Sequence, residues 1–213
     1  MKVLLVNGSP HEAGCTRRAL DEVARTLEEC GVDSEVVWVG RQPVGGCTAC
    51  GACAKLGRCA FGDKDGVNEF RARAAGADGF VFGAPVHYGR AGASLLGFMD
   101  RAFYANSRAG QPNVFAHKPA AAVVSARRAG TTSALADIEK YFTISQMPIV
   151  SSRYWNMVHG TSAEEVERDE EGLWTMRQLG RNMAWLLRSI EAGRAAGVPQ
   201  PETEPGVMTN FVR

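Results

Sequence analysis

Four of the six cysteines of the chain lie within thirteen residues, in the stretch CTACGACAKLGRC. Their spacing is C-x2-C-x2-C-x5-C, at Cys47, Cys50, Cys53 and Cys59. Three thiolates with two residues between neighbours can each bind one iron of a cubane, and a fourth can follow after a short turn. The spacing therefore favours a [4Fe-4S] cluster with these four cysteines as its ligands.

Other uses of the same cysteines stay open. Zinc ribbons usually separate their cysteine pairs by about fifteen to twenty residues, so this compact run is a poorer match for zinc. A redox-active dithiol normally opens a helix, and we expect Gly45, Gly46, Gly51 and Gly57 to oppose a helix here. A structural loop that binds no metal is the remaining alternative.

The composition narrows the class of protein. The formal net charge is +1, which gives no reason to expect a nucleic acid or an anionic membrane as a partner. The apolar run of the first ten residues is interrupted at Asn7 and Gly8, before it reaches the length of a signal peptide. We therefore expect a cytoplasmic protein whose cysteines are reduced.

Short apolar runs alternate with segments of helical period along the chain, and this alternation predicts crossovers around a parallel sheet. We expect an α/β fold, a three-layer sandwich with a five-stranded parallel sheet and helices on both faces. The first helix has Thr16 as a candidate N-cap and Gly31 as its stop. The predicted strands are 2–9, 33–40, 78–85, 119–126 and 147–152, and the predicted helices are 16–31, 67–75, 94–104, 131–142 and 172–192.

Three loops would meet at the carboxyl ends of these strands, where such sheets bind their ligands. The first, NGSPHEAGCT, offers the hydroxyls of Ser9 and Thr16 and the close backbone approach of Gly8 and Gly14. It leads into a helix N-terminus, which attracts a phosphate group. The loop matches neither a P-loop nor a dinucleotide fingerprint, so we expect a monophosphate. An ordinary strand-to-helix turn that binds nothing is the alternative.

Together with the cysteine loop, these three loops resemble those of the flavodoxin-like NAD(P)H-dependent FMN reductases, and more closely of the iron-sulfur flavoproteins in that group. The resemblance covers roughly residues 1–160 and implies FMN as cofactor and a flavodoxin-like sheet. The Gly-Ser-Pro-x-x-x-Gly-Asn-Thr phosphate loop of the family is matched by Gly8, Ser9, Pro10, Gly14 and Thr16. Cys15 stands where asparagine is usual.

The resemblance extends to the other two loops. The Gly-x-Pro-x-Tyr turn of the family is similar to the stretch after the third strand, which places its residues against the isoalloxazine edge. The alternative interpretation of Tyr88 is an aromatic residue that packs in the core or at an interface. The third loop, SARRAGT, would bring an arginine near the pyrimidine side of the flavin, and a solvated basic pair is the alternative. The implied cofactor contacts are Pro85, Val86, His87 and Tyr88 in the second loop and Ser125, Arg127, Arg128, Gly130 and Thr131 in the third.

The function implied is that of an FMN-dependent oxidoreductase. Electrons would come from NAD(P)H or a redox partner protein and leave for a small-molecule acceptor, and no side chain is expected to act as a catalytic acid or base. A flavodoxin-type carrier, or an iron-sulfur flavoprotein passing single electrons, is the alternative. Carriers of the flavodoxin type are typically acidic, so the near-neutral charge of this chain argues against a carrier. A metal-binding module without flavin is a third possibility. The resemblance also implies a homodimer or homotetramer.

We expect one domain at 1–195, with a cysteine-rich loop at 45–62, followed by an extended tail at 196–213. The segment SRYWNMVHG places Tyr154 and Trp155 after the fifth predicted strand, as a pocket wall, a dimer contact or part of the core. The tail is rich in proline and carries four apolar residues that need cover, on their own subunit or on a neighbour. These are Val207, Met208, Phe211 and Val212.

Overall fold

The computed structural model describes residues 1–108, 113–202, 204 and 209. Its sheet has the strand order β2-β1-β3-β5-β6, in which all neighbours are parallel, and β4 pairs with β3 in the antiparallel sense. The predicted α/β class with a parallel sheet is confirmed. The strands are β1 Lys2–Asn7, β2 Asp33–Trp38, β3 Gly79–His87, β4 Arg90–Ala91, β5 Ala120–Ala126 and β6 Met157–His159.

The helices cover both faces of the sheet, because alternate residues of each buried strand point to opposite faces. Leu4 and Val6 of β1 pack with α3, α4 and α5, whereas Val3 and Leu5 pack with α1 and α7. The helices are α1 Cys15–Glu29, α2 Cys53–Leu56, α3 Val67–Ala75, α4 Ala93–Arg108, α5 Thr131–Ile144, α6 Ala163–Val166 and α7 Glu170–Ala195.

An aromatic cluster fixes α3 and α4 against the sheet. Phe70 of α3 lies 5.2 Å from Phe98 of α4, measured between ring centroids, and also contacts Phe82 of β3. Phe103, further along α4, stacks on Phe115 at 4.2 Å. Aromatic rings bury large apolar areas, so these contacts hold the two helices that lie beneath the cysteine loop.

The fifth strand is not where the sequence predicts it. Residues 147–152 do not form a strand: Ile149 makes one isolated bridge to Ala120, and the fifth parallel strand is β6, at Met157–His159. The carbonyl of Pro148 accepts a hydrogen bond from Ala120 N, but Pro148 has no N–H to donate, which limits strand pairing there.

Two local predictions are also wrong. The N-cap of α1 is Gly14 rather than Thr16, whose hydroxyl is bonded to Ser125 instead. The cysteine loop does contain a helical turn, α2, which Gly57 ends with a φ of 68°.

The four apolar tail residues at 207, 208, 211 and 212 lie outside the described residues. Across the described part of the chain, no helix combines the length and apolar character needed to span a membrane.

Glu22 joins α1 to α7 through a buried charge cluster. Its carboxylate accepts hydrogen bonds from Arg177 at 2.7 Å, Arg25 at 2.7 Å and Arg18 at 2.9 Å. Burial alone raises the pKa of Glu22, but the three guanidinium groups outweigh burial and lower this pKa to about 2. Because this value lies below that of the unfolded chain, the stabilisation is complete above about pH 5 and is lost as the pH falls towards 2.

We expect Glu22→Gln to lower the free energy of unfolding by about 2–3 kcal/mol at pH 7, since three arginines lose their shared carboxylate. Urea unfolding at pH 7 and pH 3 measures the effect, and the difference from the wild type should shrink at the lower pH. Glu29→Gln is the control, because Glu29 is exposed and pairs with Arg25. An equal loss at both pH values would contradict the prediction.

Candidate functional site

Five loops leave the sheet at the same rim, because β1, β2, β3, β5 and β6 are parallel. These loops follow the carboxyl ends of the strands, which is where doubly wound sheets place their ligands. They comprise the first loop at 8–14, the cysteine loop between β2 and α3, the turn at 88–89, the third loop at 127–130 and residues 160–162 after β6.

The first loop is held by hydrogen bonds to its own backbone. The side chain of Asn7 accepts from Ser9 N at 3.1 Å, and Ser9 Oγ accepts from His11 N at 3.1 Å. Trp38, at the end of β2, donates its indole N–H to the carbonyl of Ser9 at 2.8 Å. Neither Asn7 nor Trp38 was predicted from the sequence: the contact of Asn7 is a local turn bond, whereas Trp38 reaches the loop only because β2 pairs with β1.

The N-terminus of α1 opens into a cavity of about 300 Å³. Gly14 precedes the helix and gives it no side-chain cap, so the first backbone N–H groups face the cavity with the positive end of the helix dipole. None of the described residues that line the cavity is acidic, which suits an anion. They are Ser9, His11, Gly14, Cys15, Thr16, Pro85, Val86, Ser125, Ala126, Arg127, Gly160 and Thr161.

Thr16 and Ser125 join the first loop to the end of β5. Their hydroxyl oxygens are 2.9 Å apart, and both residues are buried. Gly83 of β3 permits this contact, because a Cβ at Gly83 would lie 2.8 Å from Cγ2 of Thr16. The start of α1 is therefore packed directly on the sheet, with the threonine hydroxyl between two of the predicted cofactor loops.

Cys15 closes the cavity on the side of β6. Its thiol donates to the carbonyl of Gly160 at 3.5 Å. Burial raises the pKa of Cys15, and the negative charges of Glu165 and Glu164 raise it further, which keeps the thiol neutral beside the cavity. Gly160 and Thr161 are lining residues that the sequence analysis missed, because β6 was predicted about ten residues too early.

The second loop is the tight turn between β3 and β4. Pro85 and Val86 line the cavity, whereas His87 and Tyr88 extend beyond it and are exposed. Tyr88 has a positive φ of 56°, an uncommon conformation for tyrosine, and its side chain is fully exposed. Tyr88 is therefore not a core residue.

The third loop places only some of its predicted residues at the cavity. Ser125 and Arg127 line it, but Arg128 does not and is exposed. Gly130 has a φ of 92° and forms the N-cap of α5, and Thr131 is buried in the first turn of that helix. In the first loop, Pro10 is exposed and likewise lies outside the cavity lining.

Tyr154 and Trp155 lie on the surface. Their rings meet edge to face at 4.8 Å, and about half of each side chain is exposed. Of the three alternatives for these residues, core packing is excluded. A pocket wall or a contact with another subunit stays a prediction.

The four cysteines of the loop line one small cavity together with Arg101 of α4. Cys53 is buried and Cys59 half-buried, whereas Cys47 and Cys50 are exposed.

A cluster of four thiols suits an iron–sulfur group in its donor chemistry. The space between them is about 20 Å³, enough for roughly one water molecule. Within the described ranges, no three cysteine, histidine or acidic side chains come close enough to share one metal ion. The four thiols are suitable ligands, but the space between them admits a cluster only if the exposed half of the loop, with Cys47 and Cys50, moves outward.

Asn68 of α3 fixes the backbone of Cys59. It accepts a hydrogen bond from Cys59 N at 3.0 Å and donates one to Cys59 O at 2.9 Å. On the other side of the loop, Gly97 of α4 lets the chain pass close to the helix, since a Cβ at Gly97 would lie 2.6 Å from the carbonyl oxygen of Val44. The cysteine loop is therefore held by α3 and α4 at its two ends.

Comparison with known proteins gives consistent matches. A family model described as NADPH-dependent FMN reductase matches residues 1–162. An iron-sulfur flavoprotein of Methanocaldococcus jannaschii is 27% identical over 202 residues, which cover 90% of this chain and 100% of that protein.

Solved structures share the fold. A flavone reductase is 18% identical with a TM-score of 0.69, and the match covers 90% of this chain and 64% of that chain. A flavodoxin from the domain Archaea is 15% identical with a TM-score of 0.59, and the match covers 88% of this chain and 99% of that chain. At these identities the structural matches show a flavodoxin-like fold.

Proposed function

This chain belongs to the NADPH-dependent FMN reductase family, whose members are flavin-dependent oxidoreductases, and we propose that it binds FMN in the cavity at the start of α1. The observation that carries this proposal is the uncapped helix N-terminus, which opens into a cavity without acidic lining residues. A phosphate monoester there would accept hydrogen bonds from free backbone N–H groups and from the hydroxyls of Ser9 and Thr16.

The remaining lining residues suit the rest of the cofactor. Pro85 and Val86 offer apolar contact to a flat ring, and Arg127 offers a positive charge to its electron-rich side. Bound FMN supplies hydride and single-electron chemistry at its ring. The part of the chain is to bind the phosphate, to orient the ring and to exclude water from one of its faces.

The reaction partners follow from the family. A flavin reductase requires a nicotinamide or a redox partner protein as electron donor, and we propose NAD(P)H or such a partner here, with a small-molecule acceptor. Tyr88 projects from the turn after β3, and Tyr154 and Trp155 lie exposed next to β6. We assign these aromatic side chains to substrate docking or to contacts within a homodimer or homotetramer.

A second function, single-electron transfer through the cysteine loop, is favoured by one observation. All four cysteines face the same cavity, although they come from both ends of a thirteen-residue stretch. We propose that Cys47, Cys50, Cys53 and Cys59 hold a [4Fe-4S] cluster once the loop opens. Such a cluster supplies one-electron chemistry.

One preparation tests both proposals. We expect protein purified without oxygen to show flavin absorption bands together with a broad shoulder near roughly 400 nm, with about four irons and four sulfides per chain. Flavin bands without iron would contradict the cluster and leave the FMN reductase. Iron without flavin would contradict the FMN site.

Thr16→Val tests the phosphate contact directly. It keeps the side-chain volume but removes the hydroxyl, so we expect FMN to bind about tenfold more weakly, measured by fluorescence titration of the apoprotein. Thr175→Val is the matched control, because Thr175 is a buried threonine of α7 that bonds its own helix. Equal FMN affinities for Thr16→Val and the wild type would exclude Thr16 from the site.

A further inference from the structure

Six residues form one stripe along the solvent side of α7. The intervals between them are alternately three and four residues, so at 3.6 residues per turn they lie within about 100° of the helix circumference. Five of the six are exposed, and Gln178 is half-buried. We call this set the α7 stripe, and its members are Glu171, Trp174, Gln178, Arg181, Trp185 and Arg188.

Two large aromatic side chains of the stripe extend into solvent. Trp174 is 43% exposed and Trp185 is 69% exposed. At a rise of 1.5 Å per residue, they lie about 16 Å apart along the helix. The guanidinium carbon of Arg153 lies 3.6 Å from the ring centroid of Trp174 and holds this ring in place. Tryptophan and arginine together are typical of the residues that contribute most to binding at protein interfaces.

The segment before β6 widens this aromatic surface. The carbonyl of Ser151 accepts a hydrogen bond from Asn182 Nδ2 at 2.7 Å, so the segment runs alongside α7 from there to Arg153. Tyr154 and Trp155 follow directly, and each is about half exposed. Single exposed apolar residues are common on proteins, whereas a continuous patch of this kind marks an interaction surface.

The charges of the stripe differ between its two ends. Its acidic residue, Glu171, lies in the first turn of α7, whereas Arg181 and Arg188 lie in the second half. Glu171 is 3.7 Å from Arg153, and its side chain stays 74% exposed, so it is accessible to a second cation. Arg188 is exposed, and its Nη2 donates to the carbonyl of Cys30, which orients the guanidinium at the surface. One end of the stripe is therefore acidic and the other is basic.

The stripe is complementary to itself when a second copy of α7 lies antiparallel to it. Because the intervals of three and four residues read the same in both directions, a two-fold axis at the middle of the stripe brings all six positions opposite one another. The facing pairs are then Trp174 with the partner's Trp185, Glu171 with the partner's Arg188, and Gln178 with the partner's Arg181. A parallel arrangement would place each arginine against its own counterpart, and such like-charge contacts are unfavourable.

We propose that the α7 stripe is the interface of a homodimer, in which two copies of α7 pack antiparallel about a two-fold axis. The tryptophan pairs form its apolar part, and the pairs of glutamate with arginine close its two ends, as in interfaces with an aromatic core and a polar rim. None of the described residues that line the cavity at the start of α1 or the cysteine cavity belongs to the stripe. The inference therefore goes beyond the proposed function and requires neither FMN nor a metal.

Sedimentation equilibrium of the full chain over a range of concentrations gives the dissociation constant of the dimer. We expect the wild type to dimerise and Trp185→Ala to weaken the dimer about 100-fold, because symmetry removes two tryptophan contacts at once. If the wild type is a tetramer, Trp185→Ala should halve its mass. Ile144→Ala is the control and should assemble like the wild type, because Ile144 is 83% exposed but ends α5, on the other face of the sheet. A monomeric wild type, or Trp185→Ala that assembles like the wild type, overturns the proposal.

An exchange of charges tests the antiparallel pairing itself. Glu171→Lys brings two positive charges together at each end of the interface, and we expect it to weaken the dimer about tenfold, as does Arg188→Glu. The double variant Glu171→Lys/Arg188→Glu restores opposite charges only if the helices are antiparallel, so its dissociation constant should return close to that of the wild type. A double variant that dimerises no better than Glu171→Lys overturns the pairing.

Urea unfolding of each variant shows whether its fold is intact. If Arg188→Glu does not fold, Glu171→Lys is compared with Glu170→Lys instead. Glu170 is exposed and adjacent in sequence but lies off the stripe, so the charge change is the same and only Glu171→Lys should weaken the dimer. Equal dissociation constants for these two variants overturn the proposed pairing.

Discussion

Replacing Gly8 with alanine is expected to abolish stoichiometric FMN binding and to lower the free energy of unfolding by about 1–3 kcal/mol. A Cβ at Gly8 would lie 2.5 Å from Cβ of Leu95, which is fixed to the backbone of α4 and cannot turn away. Either the helix or the first loop must shift, and the loop has less packing to hold it. FMN retained per chain after desalting and a urea unfolding curve measure the two effects.

Gly76→Ala is the control for this substitution. Gly76 follows α3 with a negative φ, and the nearest atom to a Cβ there is 3.8 Å away. We expect this variant to keep its FMN and its stability. A Gly8→Ala protein that retains FMN at one per chain would show that the first loop is not the phosphate site, whatever its stability.

Gly97→Ala is expected to remove the proposed cluster from the cysteine loop while the proposed FMN stays bound. A Cβ at Gly97 would lie 2.6 Å from Val44 O and 3.1 Å from the carbonyl carbon of Gly45, and neither backbone atom can rotate out of the way. The loop must leave α4, which breaks the contact of Arg101 with Gly45 O. Alanine itself favours a helix over glycine by about 1 kcal/mol, so α4 should remain folded.

Iron, sulfide and FMN per chain after anaerobic reconstitution measure this effect, and Gly45→Ala serves as the control. A Cβ at Gly45 meets open space, so this variant should hold as much iron as the wild type. Iron content in Gly97→Ala equal to that of the wild type would mean that the loop need not contact α4 in order to bind a cluster.

The sheet and the first loop are predictable because their signals are local. The run Phe80 to Phe82 is apolar on both faces, as a central parallel strand must be, and the structure buries it completely. Gly8, Ser9, Gly14 and Thr16 follow β1, which lies inside the sheet between β2 and β3, so the position of the first loop follows from the order of the elements.

The remaining site residues depend on contacts that the sequence does not reveal. β6 is only three residues long and follows an irregular stretch, so the sequence did not predict that Gly160 and Thr161 line the cavity. Arg71 and Arg101 lie on two separate helices, and only the packing of those helices on the sheet brings them to the cysteines. Amphipathic helices with arginines are common, which is why neither residue stood out.

The parallel strands also separate the two ends of the molecule. Met1, Asp78 and Pro119 each precede a strand, and they line a common cavity on the rim opposite the five loops of the candidate site. A linker attached ahead of Met1 would thus immobilise the protein with the first loop and the cysteine loop pointing away from the support. Voltammetry in that orientation would show whether electrons reach an electrode from the rim opposite these loops.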